Sequence, residues 1–115
     1  MTLNDIVQRT IESQLKQADV EAFCEQERIS IETFCDDFAR YVAACYVDDH
    51  FSYESADAAI AGLFYHFDYG VPKFASSVFE CFDAAEYRCT QGFNPGEIAR
   101  PLVKEILYGK QEPSA

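Results

Sequence analysis

Basic residues are scarce in this chain, and that scarcity is the first constraint on what it does. Nine Lys and Arg stand against twenty Asp and Glu, leaving a net charge of −11 over 115 residues. Phosphate contacts need clustered cations, so direct binding to nucleic acid or to an anionic membrane is excluded as the main activity. Long apolar runs are missing too. The N-terminal MTLNDIVQRT is interrupted by polar or charged residues every few positions, and no segment has the length of a signal peptide or a membrane span. A cytoplasmic protein is therefore expected. Trp is absent, and Gly and Pro number only five and four. With ten Phe, seven Tyr and a hydrophobic fraction of 49%, that shortage argues against disorder and for one packed core. The expected organisation is a single helical domain over residues 1–110 and a frayed tail over 111–115.

Chemical signatures are equally thin. The five cysteines, Cys24, Cys35, Cys45, Cys81 and Cys89, contain no C-x-x-C pair, so small buried thiols are expected rather than zinc or redox chemistry. His50 and His66 are the only histidines. Asp48, Asp49 and Asp68 lie beside them, but no H-x-x-x-H or E-x-x-H spacing puts two ligands on one helical face. There is no G-x-S-x-G and no glycine-rich phosphate loop. No catalytic residue, metal or cofactor is expected.

What the chain does carry is helical periodicity. Its clearest amphipathic stretch is residues 30–49, SIETFCDDFARYVAACYVDD. At period 3.6, Ile31, Phe34, Cys35, Phe38, Val42 and Cys45 share one stripe, with Glu32, Asp36, Arg40, Ala43 and Val47 opposite. Ser30 is placed to cap the helix. A first helix is expected over residues 3–18, and Asp19 is placed to cap a short one that follows, with Val20, Phe23 and Cys24 inward. Residues 48–57 read as a connection. Ser55 is placed to cap a helix over 56–67, with Ala59, Ile60, Leu63, Phe64 and Phe67 inward and Gly70 ending it. Pro72 suits the start of a helix over 73–89, with Phe74, Val78, Phe79, Phe82 and Ala85 on its apolar face. Asn94, Pro95 and Glu97 launch the last helix, whose inward residues are Ile98, Leu102, Val103, Ile106 and Leu107. Pro101 kinks it or marks a later start near Arg100, and Gly109 closes it. No segment alternates with period two, so the expected fold is all-α, a compact antiparallel bundle of five to six helices.

The acidity is regional. Residues 19–68 hold twelve acids against Arg28 and Arg40, a balance of −10, while the first eighteen residues balance at zero. Tyrosines are interleaved with these acids. A tyrosine offers a rigid contact area with a polar tip, and carboxylates beside it select basic partners. The partner-binding candidates are Asp36, Asp37, Tyr41, Asp48, Asp49, Tyr53, Tyr65, Asp68 and Tyr69. The competing reading has at least half of the tyrosines covering core at the bundle edges.

Three stretches resemble a known family. FCEQERISIETFCDDFARY, residues 23–41, is similar to the opening of colicin-type immunity proteins, in which an I-S-x-E-x-F element enters a long acidic helix. AIAGLFYHFDYG, residues 59–70, resembles their second helix, and IARPLVKEIL, residues 98–107, their closing helix. The helix over 73–89 departs from the simpler members. The resemblance implies a small, helical, acidic protein that blocks a cognate nuclease toxin, including toxins of contact-dependent growth inhibition systems. Two other readings stand beside it: an acidic adaptor, regulator or phage-encoded inhibitor of a nucleic-acid-binding protein, and a small metal-binding or enzymatic domain.

Overall fold

The Ser30 hydroxyl accepts the Thr33 amide at 3.1 Å, and the helix it caps, Ile31–Val47, is the hub of the molecule. In chain order the helices are α1 Leu3–Ile11, α2 Gln17–Glu27, α3 Ile31–Val47, α4 Tyr53–His66, α5 Lys73–Cys89 and α6 Pro95–Tyr108. The computed structural model describes residues 1–66, 71–89 and 91–109, with His66 and Cys89 described by backbone alone, and contains no strand among them. Phe67, the expected last residue of the helix over 56–67, the Gly70 expected to end it, and the tail over 111–115 lie outside the described residues.

Helix α3 packs against α1, α4, α5 and α6. Phe34, Phe38 and Val42 are fully buried, and Phe34 meets the edge of Phe23 from α2 at 5.8 Å. Side chains of this size contribute roughly 1.5–3 kcal/mol each when buried. Ala39, Ala43 and Tyr46 are buried as well, and Cys45 is only half-buried. That corrects the expected stripe: a helix surrounded by four others buries more than one face, and Ala43 is small enough for close approach. Between α4 and α5, Phe64 stacks on Phe79 at 4.2 Å. Gly62 lets α1 lie close to α4, since a Cβ there would fall 2.4 Å from the Thr10 methyl.

The first 61 residues contain neither glycine nor proline. Three helices nevertheless stop sharply there, on Ser13, Arg28 and Asp49, all with positive φ. In each case the following amide folds back five residues onto a helix carbonyl: Gln14 onto Arg9, Ile29 onto Cys24 and His50 onto Cys45. These closures have the geometry usually supplied by glycine. The first corrects the expectation of a helix to residue 18: α1 ends at Ile11, although Leu15 still reaches the core. Asp19 is accordingly not the cap of α2 but its third residue, accepting the Lys16 amide at 3.1 Å and pairing with Arg9.

Further along, α4 begins three residues earlier than expected, because Ser52 rather than Ser55 receives the first-turn amide bond. Helix α5 keeps its expected bounds. Helix α6 starts at Pro95 under an Asn94 cap that accepts the Gly96 amide, and runs through Pro101 to Gly109. Leu102 is 37% exposed and Ala99 is buried in its place. Among the described residues no helix is long and apolar enough to cross a membrane.

Candidate functional site

The structure separates aspartates that are adjacent in sequence. An Asp36 carboxylate oxygen accepts the Ala75 amide at 3.2 Å, in the first turn of α5. Pro72, at the head of that helix, has no side-chain acceptor, and α3 supplies one from Asp36, placing a negative group at the positive end of α5. Asp37 is exposed. Arg40, a turn further on, lies over the Phe74 ring at 4.2 Å.

At the other end of α3 the arrangement is mirrored. Arg100 of α6 donates to the Val47 carbonyl at 3.0 Å, pairs with Asp49 and lies 5.6 Å from the centroid of the Tyr46 ring. A cation thus caps the negative end of α3. The Arg100 hydrogen bond, and after it the Arg100 charge, hold the Asp49 carboxyl below the usual carboxylate range. Tyr46 donates to the Gly96 carbonyl at 2.9 Å, and burial pushes its hydroxyl pKa up. Asp48, next to Asp49, remains exposed.

Asp37, Tyr41 and Asp48 follow one another at spacings of four and seven and share one side of α3. Tyr41 donates to Asn4 of α1 at 2.7 Å and meets Phe51 edge-on at 6.3 Å. Phe51 continues this surface into an open groove of about 650 Å³ between the α3–α4 connection and the start of α6. Its walls include Tyr46, Tyr53 and Pro101, and its rim includes Asp49, Glu97 and Arg100. Tyr53 stacks on Phe82 at 5.7 Å with its hydroxyl directed to the Phe82 carbonyl at 3.5 Å, so its ring is both groove wall and core cover.

Of the expected partner-binding residues, Asp37, Tyr41 and Asp48 come together on one stripe, and Asp49 and Tyr53 line the groove that adjoins it. Asp36 faces inward at the α3–α5 contact. Tyr65, 85% exposed, sits instead at a second groove, between α1 and α4, with Ser13 and Gly62. Asp68 and Tyr69 lie outside the described residues, as does the His66 side chain. His50 is exposed. Among the described residues no three His, Cys, Asp or Glu form a group that could hold a metal ion.

Sequence reasoning missed Arg100, Glu97 and Phe51 as parts of this surface. Arg100 was discernible only as one of the few bases facing an acidic chain, because nothing local in sequence ties α6 to the end of α3. It also missed the carboxyl cluster between α4 and α5. There Asp57 is pushed up to about 7, first by burial, then by a hydrogen bond shared with Glu86 and the nearby charges of Glu86 and Asp83. No protein-family model, curated protein or solved structure matches this chain.

Proposed function

We propose that this protein is a non-enzymatic neutraliser of a basic protein, of the nuclease-toxin kind that immunity proteins block, acting in the cytoplasm. The observation that carries the reading is the fate of the acids in residues 19–68. Asp19 and Asp49 are paired with Arg9 and Arg100, Asp36 caps α5, and the Asp57 carboxyl is pushed up to about 7 by burial and by Glu86. Glu21, Glu25, Glu27, Glu32, Asp37, Asp48 and Glu54 all remain exposed. Self-repulsion on this scale opposes folding, and a basic partner turns it into attraction and fast encounter. The stripe of Asp37, Tyr41 and Asp48 combines that charge with an aromatic anchor, the composition that favours a contact surface.

The test is inhibition. The reading predicts that a nuclease domain is encoded next to this protein and that this domain, purified alone, loses its activity on adding one equivalent of the chain, with a complex visible by light scattering. Full nuclease activity in the presence of excess protein, with no complex formed, would refute the proposal.

A further inference from the structure

Arg100 shows what the groove beside it can hold. Its guanidinium sits between the Tyr46 ring and the Asp49 carboxylate, so an arginine head is already accommodated by an aromatic face and an acid at this edge. The rest of the groove offers the same two chemistries a second time. Phe51 and Tyr53 supply aromatic wall, and exposed Glu97, one turn before Arg100 on α6, takes part in no ion pair among the described residues. The volume, about 650 Å³, suits one extended side chain with its flanking backbone.

We propose that this groove seats an arginine side chain of a basic protein partner, with the guanidinium paired to Glu97 and stacked against the Phe51 and Tyr53 wall. Charge selects the occupant. Among the described lining residues the one cation, Arg100, is already paired with Asp49, on which Lys104 of the next turn also acts, while Asp48 and Glu54 lie exposed beside lining residues Asp49 and Tyr53. Arginine is favoured over lysine because a planar fork can pair with a carboxylate and stack on a ring at once, whereas an ammonium holds its hydration more tightly. The inference rests on the neutraliser reading for the basic character of the partner, and it adds where and how that partner is gripped.

The probe is a set of blocked tripeptides, Gly-Arg-Gly, Gly-Lys-Gly and Gly-citrulline-Gly, titrated at fixed ionic strength into the isotope-labelled full chain and followed by amide NMR shifts. The arginine peptide should produce saturable shifts at Phe51, Tyr53, Gly96 and Glu97. It should bind about fivefold or more tightly than the citrulline peptide, the ratio that one stacked, paired cation worth about 1 kcal/mol produces. Glu97→Gln should bring arginine down to the citrulline level, and Asp37→Asn should not. Equal binding of arginine and lysine, equal binding of arginine and citrulline, or shifts that spread over α2 and α3 without reaching Gly96 and Glu97 would overturn the assignment. None of those results touches the neutralisation test, which can succeed through the α3 stripe alone. A groove response without nuclease inhibition would instead sink the functional reading and leave the site.

Discussion

Asp36 and Asp37 are neighbours in the chain and opposites in the fold, and Asp48 and Asp49 repeat the contrast at the far end of α3. In each pair one carboxylate is engaged by another helix: Asp36 accepts from α5, and Asp49, itself 75% exposed, pairs with α6, while exposed Asp37 and Asp48 enter no ion pair among the described residues. Within α3 the turn of about 100° per residue sets Asp36 and Asp37 on different sides, whereas Asp48 and Asp49 lie past Val47, where the positive φ of Asp49 breaks the helical run. Local acid density therefore overstates the charge a surface offers, because it cannot tell which acid of a pair another helix uses.

The largest expected break in this symmetry is kinetic. Replacing Asp37 and Asp48 together by Lys should slow association with a basic partner by on the order of tenfold at low ionic strength, with the difference shrinking as salt is added. Stopped-flow binding at two salt concentrations checks it, and an unchanged rate would show that the outward stripe does not steer.

A pH measurement sharpens the contrast between Asp49 and Asp57. The Asp49 carboxyl is depressed by Arg100, so its stabilising contribution is present above the ordinary carboxylate value of 3.8 and lost as pH falls through the folded-state value. Asp57 has the opposite sign. Its pKa is raised from 3.8 to about 7, so the native state holds a proton that the unfolded chain has released, and stability falls as pH rises from about 4 to about 7. Asp57→Asn should remove that decline and raise the melting temperature at neutral pH; urea melts across the range would read both. An unchanged slope would mean that Asp57 and Glu86 do not share a proton.

The mildest probe is chemical and compares two cysteines of the same helix. Cys35 is buried, and burial, with the Asp36 charge second, pushes its thiol up to about 11. Cys45 is half-buried. A thiol reagent under native conditions should therefore modify Cys45 well before Cys35, as read by mass spectrometry of peptides at successive times.

How much of this was legible beforehand follows from range. Ser30, Asn94, Pro95 and Gly109 act within a turn of themselves, and the helices they bound fall where their chemistry puts them. The closures at Ser13, Arg28 and Asp49 were not legible, because residues with ordinary side chains take a glycine-like conformation there, imposed by how the helices pack. The site was legible only in part for the same reason. Asp37, Tyr41 and Asp48 share a stripe that helical spacing alone can give, whereas the roles of Asp36 and Asp49 depend on Ala75 and Arg100, 39 and 51 residues away.

One comparison tests the division of the aspartates most directly: equilibrium urea denaturation of Asp36→Ala, Asp37→Ala, Asp48→Ala and Asp49→Ala at neutral pH. Losing the acceptor at the head of α5 should cost about 1–2 kcal/mol for Asp36→Ala, against a change within about 0.5 kcal/mol for Asp37→Ala. Asp49→Ala should lower the midpoint, while Asp48→Ala, which removes an acid from the negative end of α3, should leave it unchanged or raise it. Equal losses within either pair, or a greater loss for Asp37 or Asp48 than for its neighbour, would contradict the account.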